Sequence, residues 1–446
     1  MRTTATSFAL ISSLFAAACF SVVESGGTPT TLDRPDAVPD YSWERDSSTS
    51  DPPRSARPIG PYDKDVLSTD VSILYPLPTA RPEELVPARA GGKLGELLPF
   101  WYFQSTFLAT DKSDTLGPVT PELAVRSAVA YDLLRLVGIR LDPCTERLRT
   151  ERQDCGAEVR LVFQSIVAKG GGVLAEDDAV HAFYDLPADE LTDMLRETLA
   201  LKKLYGAAND PNKPSLGIHP ILETQGLTGP FAMGLRAIVL EHLGAARLRV
   251  LATLRRVEDS DPRWVFREFR VVQGRFAQAL AWSEIEGGSF FLESVKGSAT
   301  DAPLRGSHAT MSSEGLVSSL APLAGQARQK SGDVVSKITT DAFELAVGLQ
   351  DPEIIGSANR HSGLGACASC HLAEGVVSMA RLEYGLLPKV SANLSSYNRT
   401  YVRQNEALNN LHAFGYLGRH VSVMQRTANE SALVAAKMEY FLRSLM

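Results

Sequence analysis

The chain has 446 residues, 44% hydrophobic and 22% charged, the balance of a folded globular protein with room for roughly two or three domains. A formal net charge of −7 without a basic cluster argues against a nucleic-acid partner. Past the N-terminal segment no apolar run is long enough to span a bilayer, which leaves a lipid as the only means of membrane attachment.

Met1–Cys19 carries one early cation, Arg2, then an uncharged apolar run from Phe8 to Ala18 that ends in Ala16-Ala17-Ala18. Small residues there suit an export peptidase, and the run is too short for a spanning helix, so 1–18 reads as a signal peptide. Ala18-Cys19 is similar to a bacterial lipobox, in which Cys19 becomes the lipidated first residue; plain secretion is the alternative. Residues 19–93 are rich in Pro, Ser, Thr and Asp and read as a flexible tether or arm. Within them only Val66–Leu77 has an apolar run fit for a strand.

Residues 94–297 read as one α+β domain. Thr120-Pro121 is a helix start, and apolar spacing continues the predicted helix over Pro121–Gly138. Val159–Phe163 and Val180–Tyr184 alternate as strands do. Leu186–Gly206 and Pro230–Leu243 read as helices, Leu248–Val257 as a strand, and Arg263–Val272 with Arg275–Trp282 as a hairpin around Gln273-Gly274. An oxidising compartment makes a Cys144–Cys155 disulfide the natural reading, contributing about 3 kcal/mol; free buried thiols are the alternative. No catalytic constellation stands out. His181, His219 and His242 read as structural, and Trp264, Trp282, Phe266, Phe269 and Phe276 as core or as a ligand surface.

A Gly/Ser/Thr-rich break at Ser298–Ser313 opens a second domain, 298–446, with helices predicted over Gly315–Gln329 and Asp333–Leu349. Beyond them stands Cys367-Ala368-Ser369-Cys370-His371. Two thiols at this spacing can bond the two vinyl groups of one porphyrin as thioethers, and the adjacent imidazole then falls under the ring as an iron ligand. With five Cys and eight His in the chain, chance yields the pattern on the order of once in a thousand such chains. A thioredoxin-type dithiol would want a strand-to-helix junction. A zinc site would want a second Cys/His pair, and the next thiols, Cys155 and Cys144, lie far upstream.

The C-terminal helix is also marked. Thr427-Ala428-Asn429-Glu430 has the form of a capping box, and Val434, Met438, Phe441 and Leu445 repeat on one helical face. On these motifs the last quarter to third of the chain resembles a class I c-type cytochrome. The resemblance implies a mainly α domain and one covalent haem c on Cys367 and Cys370, with His371 as proximal ligand. It also implies a terminal helix packed over the haem edge. Met424 matches the family's distal ligand, with His412 and His420 as alternatives, then Met379 and His361, or an open site. Phe414, Tyr416 and Tyr440 are candidates to pack on the porphyrin, and Arg419 or Arg426 to pair with a propionate. The function so implied is electron transfer with redox partner proteins in the periplasm or from an outer-membrane lipid anchor. A peroxidase-like haem enzyme or a haem-based redox or gas sensor is the other reading.

Overall fold

In chain order, one helical turn, α1 (Ser68–Val71), leads into β1 (Ser72–Leu74). A small ribbon of β2 (Gly91–Gly92) and β3 (Gly95–Glu96) precedes α2 (Phe100–Leu108). Next come α3 (Pro121–Leu133), β4 (Leu134–Asp142), β5 (Ala157–Lys169), β6 (Gly172–Ala175) and β7 (Asp178–Leu186). Helices α4 (Ala188–Tyr205), α5 (Pro220–Gln225) and α6 (Pro230–His242) follow. Then come β8 (Leu248–Val257), β9 (Arg263–Arg270), β10 (Gln278–Glu286) and β11 (Ala309–Ser312). The chain closes with β12 (Phe414–Leu417), β13 (His420–Val423) and α7 (Gln425–Ser444). This computed structural model describes residues 66–108, 121–142, 157–205, 216–257, 263–271, 278–286, 309–312 and 412–444. By mutual contacts the chain divides at Gly60/Pro61, and all described residues belong to the second unit.

Nine strands form one sheet in the order β1-β4-β5-β7-β8-β9-β10-β11, with β6 beside β5. Every pairing is antiparallel except β10 with β11. Side chains alternate between faces along a strand, so neighbouring register rows lie on opposite faces. One row runs Ile73, Ile139, Leu161, Ala182, Leu251, Phe269, and each member is at most 2% exposed. The adjacent row runs Ser72, Arg140, Arg160, Phe183. The apolar row belongs to the main hydrophobic core. Tyr184, whose neighbour Phe183 points to the other side, donates its hydroxyl to the Leu97 carbonyl at 2.6 Å. Helices α4 and α6 pair, and α3 and α4 lie against β5.

Most predicted elements of the α+β domain form within two or three residues of the expected bounds. The strand expected over Val159–Phe163 runs on to Lys169, the one expected over Arg275–Trp282 lies at Gln278–Glu286, and the helix expected through Gly138 stops at Leu133 and passes directly into β4. Leu133, Leu136 and Val137 satisfy helical and strand spacing alike. Burial decided the matter: Leu134–Leu141 are all buried, as befits a strand enclosed on both faces. The arm is integral from Val66 onward. Its Asp70, 1% exposed, accepts hydrogen bonds from Lys202 Nζ of α4 and from Leu67 N, both at 2.7 Å.

The expected mainly α cytochrome-like domain at the C-terminus is corrected. Within 298–446 the described residues are three strands and one helix. β11 joins the α+β sheet beside β10, and the hairpin β12–β13 lies on β4, β5 and β6. Helix α7 packs on α1, with Ala428, Val434, Ala435 and Met438 in the core of the α+β body. Its periodicity announced an apolar face but not the surface that would cover it. The capping box is not used either. The helix starts at Gln425, Thr427 Oγ1 donates to Ala413 O at 2.9 Å, and Glu430 serves a buried ion pair described below.

Candidate functional site

Cys367, Cys370 and His371 lie outside the described residues, as do Cys19, Cys144, Cys155, His361 and Met379. The remaining candidate distal ligands lie on or beside the hairpin β12–β13 that leads into α7. Two residues, Gly418 and Arg419, turn the hairpin, and Gly418 has φ +60°, the left-handed conformation a tight turn requires. Gly415 admits a close approach, since a Cβ there would stand 2.5 Å from Gln164 Oε1. Gly138 on β4 does the same for Phe414, whose ring would lie 2.8 Å from an added Cβ.

Gln164 is the centre of the docking. Its Oε1 accepts from Tyr416 N at 2.8 Å and its Nε2 donates to Tyr416 O at 2.9 Å. A side-chain amide here pairs as a strand peptide would. The same Nε2 lies 3.2 Å from Asp178 O and 3.5 Å from His412 Nδ1. His412 is 3% exposed, and its Nε2 stands 3.0 Å from Asp177 Oδ1, which suits a tautomer donating to the carboxylate. Next to it, burial pushes the Asp178 carboxyl up, against hydrogen bonds from Ser165 Oγ and N.

The three distal-ligand candidates are therefore unlike one another. His412 is committed to Asp177 and faces Gln164. His420 is exposed and paired with Leu417 at the hairpin turn, four residues or about 13 Å along the strand from Met424. Met424 is buried, 6% exposed. Its N donates to Ala413 O at 3.0 Å, and its O accepts from Ala428 N at 3.1 Å. His412 and Met424 share the open end of the hairpin; His420 stands at the other.

Along α7 runs a buried ionic cluster. Glu430 Oε2 accepts from Arg140 Nη2 at 2.7 Å, and Oε1 lies 2.8 Å from Arg426 Nη2. Burial by itself would raise the Glu430 carboxyl. The fields of Arg426, Arg140 and Arg160, with the hydrogen bond from Arg140, outweigh it and hold the group well below the usual carboxylate range. Arg160 also lies over the Phe183 ring, 4.6 Å from its centroid. One residue on, Ser431 Oγ meets Ser72 Oγ at 2.7 Å.

The residues expected near a porphyrin have other partners. Arg426 holds Glu430, Arg419 Nη2 donates to Lys169 O at 3.2 Å, and the Tyr416 hydroxyl donates to Tyr75 O. The Tyr440 side chain lies outside the described set. Of the other histidines, His219 stacks on Phe231 and His242 Nε2 stands 3.2 Å from Glu197 Oε2. Sequence reasoning missed Gln164, Asp177 and Arg140. The available signal was a polar or charged residue inside an otherwise apolar strand, such as Gln164 in Leu161-Val162-Phe163-Gln164, which must find a partner when buried.

Comparison with protein-family models, curated proteins and solved structures finds no match for this chain. Among the described residues no group of His, Cys, Asp and Glu is arranged to hold a metal ion, and no helix is long and apolar enough to cross a membrane.

Proposed function

We propose that the chain is a haem c electron-transfer protein of the cell envelope, carrying one haem bound through Cys367 and Cys370 with His371 as proximal ligand. The observation that carries this reading is the Cys367–His371 motif, because two thiols and an adjacent imidazole at this spacing fit one porphyrin and its iron. The export signal at 1–18 supports it, since haem c is attached outside the cytoplasmic membrane. Cys19 would anchor the chain by lipid, and the Pro-rich segment after it would act as a spacer. Bound, the haem supplies a one-electron iron couple to redox partner proteins. Met424 is the assigned distal ligand: its thioether is soft, its backbone is held on both sides, and the rival imidazole of His412 is engaged by Asp177. A filled sixth position keeps peroxide off the metal and favours electron transfer over a peroxidase-like or sensor role.

A denaturing gel of the exported protein stained for haem peroxidase activity tests the covalent link. Stain should survive boiling in wild type and vanish in a Cys367→Ala, Cys370→Ala double variant; loss on boiling in wild type overturns the reading. A low-spin six-coordinate spectrum in both oxidation states is expected. A high-spin, cyanide-binding ferric state would transfer the protein to the haem enzymes.

A further inference from the structure

We propose that Arg255 and Arg126 form a binding site for a small oxyanion, the phosphate or carboxylate end of a ligand, where α2 and α3 meet the sheet. The site belongs to the α+β body and is independent of the haem reading above. Arg255 stands near the end of β8 and pairs in register with Asp178 of β7. Opposite charges so placed on neighbouring strands would ordinarily pair with each other. Here they do not. The Asp178 carboxyl accepts instead from Ser165 N at 2.9 Å and from Ser165 Oγ at 2.5 Å. The Arg255 guanidinium turns to α2 and lies over the Phe107 ring, 4.1 Å from its centroid.

A ring face attracts the charge but takes up none of the N–H donors. Arg255 is half-buried, yet among the described residues it makes no hydrogen bond and no ion pair. A charge drawn out of water without such partners is costly, and an anion would relieve it. Arg126 brings a second cation to the same corner. Helices α2 and α3 are tied by Gln104 Nε2, 3.3 Å from Ser127 Oγ. Phe107 lies about one turn beyond Gln104, and Arg126 adjoins Ser127. Arg126 is exposed and likewise forms no ion pair among the described residues. Burial and then the field of Arg126 hold Arg255 below its ordinary value, the mark of two neighbouring cations with no anion between them. The planar fork of Arg255, with Arg126 beside it, matches the oxygens of a phosphate or a carboxylate.

The test is calorimetric titration of the full-length protein at low ionic strength with inorganic phosphate and, separately, with citrate. Sodium chloride at matched ionic strength controls for screening. Wild type should bind at a single site and gain thermal midpoint with the bound anion. The tighter of the two anions identifies the source as a phosphate or a carboxylate. Arg255→Gln should weaken that binding by about tenfold or more, the scale of a lost hydrogen bond between charged groups. Arg255→Lys keeps the charge without the fork and should fall between the two. Arg126→Ala should weaken binding by about tenfold on the same ground; its position is exposed, so it carries the test if Arg255→Gln does not fold. Arg196→Ala, an exposed arginine on α4, removes the same charge elsewhere and should bind as wild type does. Three results would overturn the site: no binding of either anion by wild type at millimolar concentration, an affinity that Arg255→Gln or Arg126→Ala leaves unchanged, or an equal loss in Arg196→Ala.

Discussion

The rows Ile73–Ile139–Leu161–Ala182–Leu251–Phe269 and Ser72–Arg140–Arg160–Phe183 share strands, one residue apart, and are covered by opposite means. The first is covered by apolar packing, which is non-directional and accepts any surface of suitable shape. In the second, Ser72 and Arg140 meet α7 through a hydroxyl pair with Ser431 and an ion pair with Glu430, while Arg160 lies over the Phe183 ring of its own row. Such groups are satisfied in one register only, because an unpaired buried charge or hydroxyl costs more than its pairing returns. The apolar row holds the body together. The polar row decides which segment may dock on it, and where.

Glu430→Ala should break the polar side hardest, leaving Arg140 with no carboxylate in a buried site. A loss of about 3–5 kcal/mol is expected in urea unfolding, and a loss below about 1 kcal/mol would show the cluster to be solvated. The pH dependence follows from the depressed Glu430 carboxyl. Its folded pKa lies below the unfolded one, so its contribution is whole above the ordinary glutamate value of about 4.3. It is lost as pH falls towards the folded value. Wild type should therefore lose stability on acidification through that window by more than Glu430→Ala does.

On the apolar side, Leu161→Ala should cost about 2–5 kcal/mol through transfer and cavity terms. It should do so without the acid dependence, which separates the two rows by mechanism. Gly138→Ala tests the fit between sheet and hairpin. The new Cβ would stand 2.8 Å from the Phe414 ring, for a cost of about 1–3 kcal/mol. Adding Phe414→Ala should remove the clash, so the double variant should depart from additivity; simple additivity would place the strain elsewhere. Ser431→Ala should give the smallest effect, about 1 kcal/mol, and pairing it with Ser72→Ala should return part of that loss by removing the orphaned hydroxyl.

The longer elements from Val159 to Val257 were legible because their spacing reports directly on helix or strand, whereas the short β6 and α5 are too brief to show a period. The alternation also announced an antiparallel pair, observed as Arg263–Arg270 with Gln278–Glu286 rather than Arg263–Val272 with Arg275–Trp282; the expected turn at Gln273-Gly274 lies outside the described residues. The arm past Val66 was less legible: its strand has only three residues, Ser72–Leu74, and is held by β4 rather than by its own propensity. At the candidate site, Met424, His412 and His420 could be named as metal-ligand types from sequence, but their ranking could not. Only the fold sets His412 against Asp177 and His420 at the far end of the hairpin.

Composition, the leader pattern, the Cys367–His371 motif and the existence of a C-terminal helix are local properties, fixed by residue type and spacing within a few turns of chain, and the sequence by itself determined them. Which surface that helix covers was decided only by tertiary structure. Arg140 and Glu430 are 290 positions apart, and Ser72 and Ser431 are 359 apart. No periodicity within either segment encodes its partner. The same holds for the passage of α3 into β4 at Leu134. There both periods fit the residues, and burial on both faces of the sheet chose the strand.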